Sequence, residues 1–521
     1  MGIDIRTLFS ALLSGALIFL SFPKFGAGIP AWVAFVPLFY ALQGKRVMQG
    51  MAVGFIAGFS ACIGIFYWIA FVVVHYGYLP VFVGIAVMLL LSAYLALYMA
   101  VFSAGVVYFS RSEIPLIFSG PLLWTCLEYV KSHVLTGFPW ANLGHTQYLY
   151  GPMIQIADVT GVFGLSFVIV FINVVVFDIL KIRRSEDRRR MPVWKISAEV
   201  LAGFVLLAAL YGYGMMRSDQ VRKAMETAAI LPVSLIQGNI DQSIKWNPAF
   251  QRETLRIYAS LSRQAAPSGE GLIVWPETAA PFFFQDRNDM QRDVTALASQ
   301  TGNWVLFGSP GYRQEGEHID FQNSAFLLSP DGRIAGRYDK VHLVPYGEYV
   351  PLRRFFPFIS KLVVGIGDFR SGPGYEPLLM HGSRGRRSIG VMICYEGILA
   401  EAGRNYRQRG AELLVNITND AWFGNTSAPH QHLSMTVFRA VENRLFLVRA
   451  ANTGISAIVD PTGTITDRSR LFEEGTLRGT VRFMNLKTFY SAHGDVLVYG
   501  CMMGLILILT VSIKKGRRRD D

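Results

Sequence analysis

The chain has 521 residues, of which 52% are hydrophobic and only 17% charged, with a formal net charge of +12. So apolar a composition excludes an ordinary soluble enzyme and fits a membrane protein. The basic excess sits in short clusters beside apolar segments, which reads as membrane topology and lipid-headgroup contact. No zinc finger or RNA-recognition motif accompanies it, so a nucleic-acid partner is not expected.

Eight apolar segments approach the length that a bilayer core demands. The first, about residues 7–22, stops at Pro23 and lacks a small-residue cleavage site, so it is expected to be retained. The second, 29–42, is short enough to be partly re-entrant. Segments 50–74, 79–108 and 114–134 follow, the last interrupted by Pro121 and carrying Glu128. Segments 162–180 and 198–216 come next, and 495–513 lies near the C-terminus. Lys45, Arg46, Arg111, the basic run 181–190 and the tail 514–519 fall on one side of this arrangement. The positive-inside rule then puts both termini in the cytoplasm and the stretch between the seventh and eighth segments outside it. The outer loop 131–161 carries Trp140, Tyr148 and Tyr150, which suit a membrane-interface belt and a lipid entry route.

The domain expectation is therefore 1–216 with seven transmembrane helices, 217–490 as an extracytoplasmic catalytic domain, and 491–521 as the eighth helix with a basic tail. Residues 217–490 alternate strand and helix patterns. Strands are expected at 233–237, 272–275, 304–308, 324–328, 389–393, 413–417, 446–450 and 456–459, and helices at 251–264, 290–300, 400–408 and 431–442. That alternation predicts an α/β sandwich. Pro330-Asp331-Gly332 and Asp460-Pro461-Thr462-Gly463 read as hairpin turns.

Chemistry concentrates at three strand ends. An apolar run ends on Cys394, followed by Tyr395, Glu396 and Gly397, and a thiol entering a turn is where a nucleophile is held exposed and rigid. The remaining cysteines, Cys62, Cys126 and Cys501, lie in the apolar segments, and no Cys-x-x-Cys pairing points to a disulfide or zinc site. Glu277 closes the run GLIVWPE, and Lys340 sits in YDKVHLVPYGE. A carboxylate, an ammonium and a thiol beside strand ends are the base, oxyanion partner and nucleophile of an acyl-transfer site. His430 and His432 invite a metal reading, but their spacing diverges on a helix and no third ligand is evident, so no metal is expected. Asn416, Asn419 and Asp420 are expected to hold loops beside the site.

The ordered set WPE (275–277), DKVHLVPYGEYVP (339–351), ICYEG (393–397), NITNDAWFG (416–424) and RAANTG (449–454) resembles the nitrilase, or carbon-nitrogen hydrolase, superfamily. With the eight-span frame, the whole chain resembles the membrane-anchored apolipoprotein N-acyltransferase family. That resemblance implies a nitrilase-like αββα sandwich on an eight-helix membrane base, in a bacterial inner membrane with the catalytic domain on the periplasmic side. It implies an N-acyltransferase: a phospholipid acyl chain, with phosphatidylethanolamine the expected donor, moves through a Cys394 thioester to the N-terminal α-amine of a diacylglyceryl apolipoprotein. By resemblance Glu277, Lys340 and Cys394 are catalytic, and Glu348, Tyr395, Glu396 and Trp246 support them. No cofactor is expected, and the expected state is a monomer.

Two apolar loops resemble lipid-contacting arms, one with Phe282, Phe283 and Phe284, the other with Arg353, Phe355, Phe356 and Phe358. Rings against acyl chains and a cation against phosphate are the physical basis. The competing reading is that these loops pack the domain's own base. The alternative function is a membrane-tethered nitrilase-like amidase, in which water replaces the amine. A transporter is disfavoured because the apolar segments carry few charges beyond Glu128 and no repeated broken-helix pattern.

Overall fold

The computed structural model describes residues 3–26, 28–183, 193–345, 347–349, 368–383 and 385–520. The Asp4 carboxylate accepts the Thr7 N–H at 2.9 Å and so caps the first helix, α1 (Ile5–Ser21). Then come α2 (Val36–Leu42), α3 (Val47–Phe66), α4 (Trp68–His75), α5 (Val81–Arg111), α6 (Leu116–His133), the short α7 (Gly151–Ile154) and α8 (Ala157–Thr160), α9 (Val162–Arg183) and α10 (Val193–Thr227). Among the described residues five helical stretches are long and apolar enough to cross a membrane: Val47–Phe66, Val81–Arg111, Val162–Ile182, Ser197–Thr227 and Val496–Lys515.

Two expected segments differ from continuous helices. Residues 29–42 form a 3-10 turn, Ile29–Trp32, and then the seven-residue α2, because Gly28 takes a left-handed φ of 77° and a proline opens each piece. Residues 50–74 are divided at Tyr67. The backbone there remains helical, but the Ala70 N–H bonds to the Tyr67 carbonyl at 3.2 Å, a tighter turn. The Tyr67 hydroxyl meanwhile accepts the Ser427 N–H of the α/β domain at 3.0 Å.

The remaining chain runs β1 (Ile230–Gln237), α11 (Pro248–Ala265), β2 (Leu272–Val274), α12 (Asp289–Thr301), β3 (Trp304–Glu315), β4 (His318–Leu328), β5 (Ile334–Asp339), β6 (Leu378–Gly382), β7 (Gly385–Ile393), α13 (Ala400–Gln408), β8 (Leu413–Thr418), α14 (Ala428–Asn443), β9 (Phe446–Ala451), β10 (Ala457–Val459), β11 (Ile465–Arg468), β12 (Gly475–Arg482), α15 (Phe489–His493) and α16 (Val496–Asp520). The strands form two six-stranded sheets, β12-β1-β2-β3-β4-β5 and β11-β10-β9-β8-β7-β6. Alternation sets the two faces of the first sheet. Leu272, Val274, Trp304 and Leu306 share a core with Val391, Val415 and Val448 of the second sheet. Ile273, Val305 and Phe307 pack the other way, against Leu255 and Tyr258 of α11 and Leu297 of α12. The strands β5, β6, β11 and β12 were not anticipated from the pattern, and β3 and β4 extend well beyond their apolar cores into a long hairpin.

Strand direction places the chemistry. β1, β2 and β3 are parallel, and two antiparallel steps through β4 return β5 to the same direction. The C-terminal ends of β2 and β5 therefore share one edge of the first sheet. β7, β8 and β9 are likewise parallel in the second.

A buried ion cluster ties the helical frame to this domain. Asp158 of α8 accepts from Tyr213 at 2.6 Å and Arg217 at 2.7 Å, both on α10, and pairs with Arg444 after α14 at 2.9 Å. Asp158→Ala leaves the Arg444 guanidinium buried without its anion, which costs about 3–5 kcal/mol. The expected result is a markedly lower thermal-unfolding midpoint for the full chain in detergent; an unchanged midpoint would show that the cluster does not hold the two parts together.

Candidate active site

Beyond β2 the Trp275 N–H still bonds the Leu306 carbonyl, and then Pro276 turns the chain and presents Glu277. The turn is tight: Thr278 has φ 51°, and a Cβ on Gly308 would lie 2.7 Å from the Glu277 Cα, so Gly308 is the neighbour that fits. Glu277 is 8% exposed. Its Oε1 accepts Asn323 Nδ2 at 2.7 Å and its Oε2 accepts the Asn419 N–H, at the end of β8, at 3.0 Å. The second Asn323 N–H goes to Glu348 Oε1 at 2.8 Å. Glu348 Oε2 in turn takes Lys340 Nζ at 2.8 Å and the Val344 N–H at 2.8 Å.

Lys340 follows β5 and is 1% exposed. Burial alone would lower its pKa, but Glu348, then Glu277, Cys394 and Glu396, outweigh it and the ammonium is held firmly charged. Cys394 follows β7 in a left-handed conformation, φ 53°, which costs a residue bearing a Cβ roughly 1–2 kcal/mol. Burial and the Glu277 carboxylate push its thiol up to about 12, against the pull of Lys340. The resting group is therefore the thiol, and a nucleophilic role for it would require a base to take its proton.

Glu396 is fully buried. It accepts from Tyr338 Oη at 2.8 Å, the Val341 N–H at 2.8 Å, the His342 N–H at 3.0 Å and the Ile393 N–H at 2.8 Å. One carboxylate thus ties the Lys340 segment to the Cys394 turn. The Tyr395 ring stacks near His342, with centroids 5.6 Å apart, and near Trp140, 6.4 Å apart, and it belongs to the apolar core of the membrane helices.

The arrangement brings Glu277, Lys340, Cys394, Glu348 and Glu396 together, with Tyr395 between the site and the helical frame. Trp246 is half-buried. Its neighbour Lys245 enters the site unanticipated. Lys245 is 1% exposed, and its Nζ donates to the Glu277 carbonyl at 3.0 Å. Burial lowers its pKa to about 8, opposed by Glu277 and Cys394. Asn323 was likewise missed, one residue before an expected strand. The lipid-contact expectation fails for Phe282 and Phe284, which are buried in the core with Trp275, Phe307 and Phe326. Phe283 is half-buried and stacks on Phe321. Arg353, Phe355, Phe356 and Phe358 lie outside the described residues. No group of three or more His, Cys, Asp or Glu with metal-ligand geometry occurs among the described residues.

Comparison with known proteins covers both parts of the chain. Residues 14–175 match the family model of the apolipoprotein N-acyltransferase N-terminal domain, and residues 233–489 match that of carbon-nitrogen hydrolase. An apolipoprotein N-acyltransferase of Geobacter metallireducens is 47% identical over 511 residues, covering 98% of this chain and 96% of that protein. The apolipoprotein N-acyltransferase of Haemophilus influenzae is 31% identical over 522 residues, covering 98% and 96%. Among solved structures, a carbon-nitrogen hydrolase of Helicobacter pylori aligns with 54% of this chain and 94% of its own, at 19% identity and a TM-score of 0.38.

Two outcomes follow from the geometry. Gly308→Ala pushes the Glu277 backbone without changing a reactive group, and the expected loss of acyl transfer is about 100-fold; native activity would show that Glu277 tolerates displacement. Alkylation of Cys394 by iodoacetamide is expected to rise steadily from pH 7 to pH 10 without a plateau, because the thiol titrates near 12. A plateau near the ordinary thiol range would show an already activated thiolate.

Proposed function

The chain belongs to the apolipoprotein N-acyltransferase family, and on that premise we propose that Cys394 takes an acyl group from a phospholipid as a thioester and delivers it to the N-terminal α-amine of a diacylglyceryl-cysteine lipoprotein. What supports this reading is the convergence of Glu277, Lys340 and Cys394 at neighbouring strand ends, inside a chain whose full-length relatives carry that name.

In the first half-reaction the Cys394 proton passes to Glu277 as sulfur attacks the ester carbonyl. The oxyanion of the tetrahedral intermediate faces the Lys340 ammonium, an interaction whose loss typically costs about 3 kcal/mol in barrier. Collapse breaks the C–O bond, and Glu277 returns its proton to the departing lysophospholipid oxygen. In the second half-reaction the α-amine, with a pKa near roughly 7.7–8.0, attacks in its neutral form. Its surplus proton goes to Glu277, the C–S bond breaks, and the thiolate leaves beside Lys340. The proton on Glu277 then restores the thiol. Atoms and charges balance without a nucleotide or a metal.

The membrane reading is of eight crossings, with both termini cytoplasmic and 217–490 on the periplasmic side of a bacterial inner membrane. The catalytic domain is an αββα sandwich seated on the helical base. A phosphatidylethanolamine donor and a monomeric state complete the reading. The amidase alternative gains no particular observation here.

The test is intact mass of the purified chain incubated with phosphatidylethanolamine vesicles, beside Cys394→Ala. A hydroxylamine-labile acyl adduct is expected on the native chain alone, discharged by a diacylglyceryl peptide with a free N-terminus. Discharge mainly to free fatty acid in the presence of that peptide would instead mark a hydrolase.

A further inference from the structure

The HQH stretch has no part in the mechanism above, yet His432 lies directly beneath the nucleophile. It is 1% exposed, on the first turns of α14. Its Nε2 is 3.3 Å from the Cys394 carbonyl oxygen, and its Nδ1 is 3.1 Å from Arg449 Nη2 and 3.1 Å from Asp420 Oδ1. Donor accounting fixes the proton that matters here: a carbonyl only accepts, so the Nε2 facing the Cys394 carbonyl carries a hydrogen, while Nδ1 faces both the Arg449 donor and the Asp420 acceptor. Asp420 has its own donors, Arg449 Nη2 at 2.7 Å and Thr418 Oγ1 at 2.9 Å. Burial and the Arg449 charge hold His432 below its ordinary range, consistent with a neutral ring.

The Cys394 carbonyl also receives Asn416 Nδ2 at 3.2 Å. Two buried donors thus converge on the carbonyl of Cys394, the residue after β7 that is held in a left-handed conformation. We propose that His432 is a positioning residue: its Nε2–H holds the Cys394 carbonyl and thereby fixes the strained turn that presents the thiol. The preceding residue connects the same helix to the membrane frame. Gln431 Oε1 accepts Trp140 Nε1 at 2.8 Å and Trp68 Nε1 at 3.3 Å, and its Nε2 donates to the Ile65 carbonyl of α3 at 3.2 Å. The start of α14 is therefore pinned to the membrane helices by one side chain and to the nucleophile by the next.

This inference rests on Cys394 being the nucleophile, and the test separates the two. The full chain in phosphatidylethanolamine vesicles is compared with His432→Gln, His432→Asn and His432→Phe by the rate of hydroxylamine-labile adduct formation, with thermal midpoints measured alongside. A glutamine amide places a donor near the Nε2 position, whereas asparagine reaches only the Nδ1 side and phenylalanine fills the ring volume without a donor. The expected result is a glutamine variant within a few-fold of native. The asparagine and phenylalanine variants should be slower by about 100-fold in kcat at unchanged KM for the phospholipid, as for a misplaced reacting group. Equal rates for the glutamine and phenylalanine variants, whether both native or both lost, overturn the positioning role. No adduct on the native chain, or an equal adduct on Cys394→Ala, removes the premise and the proposal with it.

Discussion

Glu396 is the joint on which the site depends. Burial raises its carboxyl to about 6, so at neutral pH it is an anion inside the protein, and an anion there must be met by donors. It meets four, one from the residue before Cys394 and three from Tyr338, Val341 and His342 around Lys340. The reactive groups arise on two different sheets, and nothing in strand hydrogen bonding sets the distance between one sheet's edge and the other's. A carboxylate is acceptor-only and short, so holding donors from both sides fixes that distance. The Asn419 N–H to Glu277 bond makes the reverse connection, from the second sheet to the carboxylate on the first.

The helical frame takes part in the same geometry. Tyr395 and Ile398 belong to the apolar core of the membrane helices, as do Ala428 and Met435 of α14. The Tyr76 hydroxyl donates to the Ala421 carbonyl at 2.8 Å, and Phe423 packs edge-on against Trp68. The loop after β8, which supplies the Asn419 N–H, thus rests on α4, and the division of α3 and α4 at Tyr67 puts α4 where it meets that loop. The apolar helical frame thus forms part of the surroundings of the Cys394 turn, through Tyr395 and the loop after β8.

Cys394 and Glu277 stood out in the sequence because each closes an apolar run, whereas Lys340 follows the polar strand Ile334–Asp339 and was marked only by its motif. Strands with apolar cores were legible from such runs as well. The four missed strands were not: Ile465–Arg468 is nearly all exposed, and Gly475–Arg482 hides its alternation behind glycine and arginine. Phe282 and Phe284 looked like a lipid arm because a run of rings carries no direction, and only the fold turns them inward against Phe307 and Phe326. Lys245 and Asn323 were invisible for a different cause. Each acts through a bond to a residue distant in the chain, and their own neighbourhoods read as ordinary loop and strand. His432 was visible as a histidine but weighed only as a metal ligand, and its partners, Arg449 and the Cys394 carbonyl, come from other elements.

Two buried lysines lie near one carboxylate and one thiol, and their surroundings separate their capabilities. Lys340 faces Glu348 at 2.8 Å, and further carboxylates behind it keep it charged. Lys245 has the neutral Glu277 carbonyl at 3.0 Å, and burial brings it to about 8, where charged and neutral forms coexist near neutral pH. Stabilising an oxyanion, or a departing thiolate whose acid form titrates near 12, calls for a cation that does not give up its proton. Of the two lysines, Lys340 is the one held charged. Lys245 instead donates to the Glu277 carbonyl and so braces the peptide from which that carboxylate projects.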